Sequence, residues 1–150
     1  MKKIYMLLIP ILLLSLTGCF NKNKELVCTR DNETTNSVLI RSTVNVEYTD
    51  EKLVSFKLET ITDLSKTDLL NDDFIDSIIK SSSETTKKLG NIDGIDAKYE
   101  KIDVVVKYTL EIDYDELQES DTKDLDQTLY NKTMKIEDLK NGYLKDWTCK

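Results

Sequence analysis

The sequence predicts an α+β fold: a two-layer sandwich in which an antiparallel sheet carries one long helix and one or two short helices on one face. Three observations predict it. Ile102 to Tyr114 alternates with period two, its even positions apolar and its odd positions mostly polar, as a strand with one buried and one wet face requires. Val38 to Tyr48 alternates in the same way, and Leu53 to Thr62 returns from it across Thr49-Asp50-Glu51-Lys52. Between these strands the period changes. Over Asp68 to Leu89 the residues Leu70, Phe74, Ile75, Ile78, Ile79 and Leu89 fall within one half of a helical projection.

At the start of the chain, Lys2 and Lys3 precede the apolar run Ile4 to Leu14, and Leu16-Thr17-Gly18-Cys19 follows. A basic start, an apolar stretch and small residues before a cleavage point are the parts of an export signal. The run is too short for a membrane span, which needs about 20 apolar residues. The tetrapeptide resembles the bacterial lipobox, in which the cysteine sulfur takes a diacylglyceryl group and becomes the mature N-terminus. The alternatives are an ordinary secretory signal with a chance cysteine or a short uncleaved anchor; the three parts in register favour the lipobox. Residues 1–18 are therefore expected to be a lipoprotein signal peptide, 19–24 the lipidated Cys19 with a short polar tether, and 25–150 a single globular domain. Each buried methylene adds ~0.8 kcal/mol, so one acyl chain holds marginally and two hold firmly. The expected address is the bacterial cell envelope, on the extracytoplasmic side of the membrane.

Removing residues 1–18 takes two of the 21 basic residues and none of the 28 acidic ones, leaving 19 against 28, a net charge of −9. An acidic domain lacks the basic surface that nucleic acid demands. It is also repelled by anionic lipid, so the acyl anchor must do the holding. Histidine is absent, which excludes Ser-His-Asp and Cys-His catalysis and most zinc sites. With Cys19 assigned to lipid, Cys28 and Cys149 remain, and an even number in an exported domain points to a disulfide rather than two free thiols. A bridge closing so long a loop stabilises by ~4–5 kcal/mol in the chain-entropy treatment.

In the first hairpin Val38, Ile40, Val44, Val46 and Tyr48 face one side, and Val54, Phe56 and Leu58 are expected inward on the return. The turn lacks the Asn-Gly or Asp-Gly signal. On the helix, Ser65 and Asp68 resemble a capping pair, Asp76/Lys80 and Glu84/Lys88 are spaced i,i+4, and Gly90 marks the stop. Ser82, Thr85 and Thr86 thin the middle of its apolar face, so its second half should pack less firmly. Gly94 marks a turn. Ala97 to Lys101 either belongs to the strand that follows or pairs with it across a tight turn. Asp115 to Asn131 reads as one or two helical turns, Ile136 to Asn141 as a short helix ended by Gly142, and Tyr143 to Cys149 as a final strand anchored by Tyr143 and Trp147. If Glu25 to Arg30 pairs beside that strand, Cys28 and Cys149 come within bridging reach.

A lipobox comes first, then a hairpin from Val44-Asn45-Val46-Glu47-Tyr48 through Phe56-Lys57-Leu58. An amphipathic helix runs into Leu89-Gly90-Asn91-Ile92-Asp93-Gly94-Ile95. A strand ending Leu110-Glu111-Ile112-Asp113-Tyr114-Asp115 leads to a terminal helix with Gly142-Tyr143. In this layout the chain resembles the YehR-like family of small bacterial lipoproteins. The resemblance implies a two-layer α+β domain outside a bacterial membrane and brings no catalytic or cofactor-binding residues. The Cys28/Cys149 pair is no part of it.

Acidic residues are the remaining candidates for chemistry. Asp72, Asp73 and Asp76 splay along a helix and read as a solvated face. Asp113, Asp115 and Glu116, with Glu119 and Asp121, are denser and lie at a strand end; they are the candidates for a hard cation, though without the spacing and glycine of an EF-hand loop. Asn91-x-Asp93-Gly94 with Glu100 fails as such a loop because Leu89 would occupy its first ligand position. Ser81-Ser82-Ser83 reads as helix surface, the tyrosines and Trp147 as core, and the two Asn-x-Thr strings as chance. No cofactor is implied. The leading expectation is a non-enzymatic, lipid-anchored envelope domain that binds an unknown protein or small-ligand partner near the membrane. The alternatives are an accessory cation- or small-solute-binding lipoprotein of a transport system and a hydrolase working through paired carboxylates.

Overall fold

A computed structural model describes residues 23–33, 38–66 and 72–150. The elements run β1 (Lys24–Glu33), β2 (Leu39–Tyr48), β3 (Leu53–Asp63), α1 (Asp72–Leu89), β4 (Ile95–Ile102), β5 (Val105–Asp113), α2 (Glu119–Thr122), α3 (Ile136–Asn141) and β6 (Thr148–Cys149). The strands form one six-stranded sheet in the order β4-β5-β3-β2-β1-β6, and each neighbouring pair is antiparallel. The expected α+β class is present.

Alternation sorts the sheet into a dry face and a wet one. Val44, Val46, Phe56, Leu58, Leu110 and Ile112 are buried together on one face. On the other, Lys57 stands opposite Glu111 and binds it at 2.5 Å, and Lys107 reaches Glu59 at 2.6 Å. Such exposed pairs contribute roughly 0–1 kcal/mol each; burial of the apolar face is the larger stabilising effect.

The segment from Tyr114 to Trp147 covers most of that dry face. Leu117, Leu129, Tyr130, Met134, Leu139 and Leu144 pack into the same core as the strands. Leu53 N donates to Met134 O at 3.1 Å and Tyr114 N to Val54 O at 3.1 Å, tying the cover to β3. Tyr143 meets Phe56 edge-on at 5.7 Å and stacks on Trp147 at 6.0 Å, while the Arg30 guanidinium lies 5.6 Å over the indole. Short as it is, α3 has defined ends: Asp138 accepts from Lys135 N at 3.2 Å, and Gly142 N donates to Asp138 O at 2.9 Å.

Four expectations need correction. The long helix expected on the sheet face beside one or two short ones is not seen as such: α1 packs beside β4, and Ile75 and Ile79 join a separate, smaller cluster with Leu64, Val106 and Tyr99. A helix whose apolar face is thinned by hydroxyls cannot bury the whole sheet, and the C-terminal segment does so instead. The run from Ile102 to Tyr114 is not one strand. Asp103 holds a φ of 54° and turns the chain, so Ile102 belongs to β4 and is 63% exposed. In the first hairpin the register shifts at Glu47/Tyr48, with Tyr48 opposite Leu53 and Glu47 opposite Ser55; the extra residue is a bulge. Leu53 is therefore fully buried where Val54 was expected inward. Finally, the last strand is only Thr148–Cys149, because Tyr143 and Trp147 are held by ring contacts to the sheet face and not by a ladder.

The capping partner Asp68 and the first helical positions of the expected span, with Leu70, lie outside the described residues, as do the side chains of Asp72, Asp73, Phe74 and Ile78. Asp76 faces Lys101 of β4 at 3.9 Å rather than Lys80.

Candidate functional site

The thinned half of α1 is where the molecule opens. The α1 side contributes Ser81, Ser82, Thr85 and Thr86; the sheet contributes Thr62, Leu64, Tyr99, Val106 and Tyr108. Together they enclose a cleft of about 410 Å³, within the size range of small-molecule sites. Antiparallel register explains why the sheet residues converge. Thr62 stands opposite Val106, and Tyr99 opposite Tyr108, so all four share the dry face, with Tyr108 also packed against the main core that the C-terminal cover completes.

Hydroxyls on the helix are spent locally. Thr86 donates from Oγ1 to Ser82 O at 2.7 Å and Thr85 to Ser81 O at 3.3 Å, a back-bonding pattern available to Thr within a helix. Thr86 is buried while doing so. The Tyr99 hydroxyl is different: it is buried and has no hydrogen-bond partner among the described residues. Burial raises the Tyr99 phenol pKa, with the nearby Ser82 hydroxyl offsetting part of the shift. Burial likewise raises Tyr108. Both phenols therefore stay protonated at neutral pH and keep their O–H as a donor.

The other candidates are placed differently. Cys19 lies outside the described residues. Cys28 and Cys149 stand directly opposite each other and are joined as a disulfide, with Cα atoms 4.0 Å apart. Val27 N donates to Lys150 O at 3.2 Å and Lys150 N to Val27 O at 2.9 Å beside the bridge. Asp113 and Glu116 border one recess with Asp96 and Glu111; Asp115 does not join them. Asp113 accepts from Asp115 N at 2.9 Å, and the Asp115 carboxylate turns away to pair with Lys52. Among the described residues no three acidic, cysteine or histidine side chains are grouped to hold a metal ion. The acidic density there serves a tight junction. Gly94 has a φ of 80°, and a Cβ on it would meet Asp113 O at 2.8 Å.

Ser81 and Ser82 were read as plain helix surface, and Tyr99 and Tyr108 as core; the structure makes all four part of the cleft wall. The available signal was the run of Ser and Thr on a helix face that should have been apolar.

No family model matches the chain, and no curated protein matches it. Among solved structures, it is similar to a protein from Streptococcus pneumoniae TIGR4 (13% identity, 100% of this chain and 98% of that one, TM-score 0.55). What the two share is the fold. It is also similar to E. coli YehR (16% identity, 80% of this chain and 79% of that one, TM-score 0.48). Among the described residues no helix is long and apolar enough to cross a membrane.

Proposed function

We propose that the chain is a YehR-like, lipid-anchored lipoprotein of the bacterial envelope whose extracytoplasmic domain binds a small molecule in the cleft between α1 and the sheet. One observation carries the binding reading: a cleft of about 410 Å³ walled by hydroxyl-bearing and aromatic side chains, with a buried and unpartnered Tyr99 hydroxyl. Buried polar groups in folded proteins are nearly always satisfied, so a buried donor without a partner in a cleft wall is a place for a ligand's acceptor. The disulfide between Cys28 and Cys149 supports an oxidising compartment. The order Lys2-Lys3, Ile4 to Leu14 and Leu16-Thr17-Gly18-Cys19 supports processing at Cys19 and anchoring through two or more acyl chains.

On this reading residues 1–18 are removed, and 19–24 keep the domain close to the membrane. Two experiments test it. Thermal-shift screening against small solutes finds ligands that raise the midpoint, since a ligand at a hundred times its Kd adds about 2.7 kcal/mol; no stabilising solute across a broad panel contradicts the binding role. Intact mass of the protein from its native membrane shows an acyl-modified Cys19 N-terminus, and Cys19→Ala abolishes it. An unmodified wild-type chain contradicts the anchor.

A further inference from the structure

Resting on the reading of the cleft as a ligand site, we propose that its ligand is an electrically neutral small molecule with an apolar body and a hydrogen-bond acceptor, such as a carbonyl, that takes the proton of Tyr99 Oη.

Charge decides the first part. No Asp, Glu, Lys or Arg is among the described residues that line the cleft. An ionised ligand would leave water without a counter-charge, which is far more costly than burying a hydrogen-bonded polar group. Leu64 and Val106 are buried in the adjoining cluster and offer apolar contact, and Tyr99 and Tyr108 stand opposite each other as an aromatic wall.

The hydrogen-bond inventory decides the second part. Thr85 and Thr86 have already given their protons to helix carbonyls. The Tyr99 hydroxyl has not, and burial keeps it protonated. Beside the hydroxyls of Thr62, Ser81, Ser82 and Tyr108, the wall therefore holds one buried donor without a partner among the described residues, which calls for an acceptor on the ligand.

Prodan, a neutral naphthalene bearing one propionyl carbonyl whose emission moves to the blue when that carbonyl loses a hydrogen bond, is the probe. It is titrated against the full-length chain, against Tyr99→Phe, and against Ser82→Leu, whose side chain fills the cleft. Folding of each variant is checked by circular dichroism. Ser82→Leu also removes from the count any probe held elsewhere, including on the apolar run Ile4 to Leu14. The expected result is saturable binding to the wild type that Ser82→Leu weakens at least about tenfold. Tyr99→Phe should weaken it about three- to tenfold, the loss of one hydrogen bond, with emission shifted to the blue. An anionic naphthalene sulfonate should bind at least about tenfold more weakly than prodan. If Ser82→Leu blocks prodan but Tyr99→Phe changes neither affinity nor emission, or the sulfonate binds as well, the ligand class is wrong and the cleft reading survives. If prodan shows no binding that Ser82→Leu removes, the cleft reading fails and this inference with it.

Discussion

Tyr99 on β4 and Tyr108 on β5 stand directly opposite one another in the sheet and both line the cleft beside α1, yet the Tyr99 hydroxyl, though buried, makes no hydrogen bond among the described residues. A native fold that tolerates such a group gives up stability at that point, and a binding site is where such a concession has a use.

The concession can be measured. Tyr99→Phe removes the unpartnered hydroxyl and keeps the ring, so the ligand-free protein should gain about 1 kcal/mol, the lower end of the cost of an unsatisfied buried polar group. Urea unfolding gives the number. A loss of stability would mean that the hydroxyl is satisfied in solution.

Tyr114 is the opposite case. Its hydroxyl donates to Leu129 O at 2.8 Å inside the core, so Tyr114→Phe should cost roughly 1–3 kcal/mol by stranding that carbonyl. An unchanged unfolding midpoint would show that the C-terminal cover does not depend on this bond.

Gly94 and Gly90 make a matched pair. Gly94 has a φ of 80°, and a Cβ there would lie 2.8 Å from Asp113 O, whereas a Cβ on Gly90 meets only Thr86 O at 3.4 Å. Gly94→Ala should destabilise by more than about 1 kcal/mol, and Gly90→Ala should be close to neutral. Equal midpoints for the two variants would remove the tight β4–β5 junction from the account.

Alkaline pH should unfold the domain. Burial raises the pKa of Tyr99, Tyr108, Tyr114, Tyr130 and Tyr143. In the unfolded chain these phenols lose their protons near pH 10, so above that pH the unfolded state binds fewer protons than the folded one and stability falls. The stabilisation is complete below pH ~10 and is lost as pH climbs toward the raised folded values. Denaturant midpoints between pH 8 and 11 check this; a flat profile contradicts it.

Breaking the bridge should be costly. Cys28 is fully buried and Cys149 is bonded to it from a two-residue strand. Replacing both by Ala should lower stability by about 2–5 kcal/mol, read from urea unfolding without reductant. No change would mean that Trp147, Tyr143 and the Val27–Lys150 backbone bonds hold the C-terminus unaided.

Much of the sheet was legible because period two is hard to mistake: Val44, Val46, Phe56 and Leu58 were read inward and are buried. What misled was local. Asp103 turns the chain without a glycine, so Ile102 to Tyr114 reads as continuous although the backbone folds back at its second residue. A bulge moves Leu53 inward in place of Val54, and nothing in the alternation announces it. Parity and compartment were enough to pair Cys28 with Cys149. Ser82, Thr85 and Thr86 were read as weakening the helix; the same weakness, seen with the sheet in place, is the cleft. Its sheet wall was half legible: pairing of Ala97 to Lys101 across a tight turn was one of two alternatives, and the observed β4–β5 ladder is the one that sets Tyr99 opposite Tyr108.

The cleft is best tested by locating a bound molecule directly. Amide chemical shifts recorded while prodan is added should move most at Ser82, Thr86, Tyr99, Val106 and Tyr108, and saturate together. Shifts that gather instead on the C-terminal cover or the charged face of the sheet, with these five unmoved, would contradict the account.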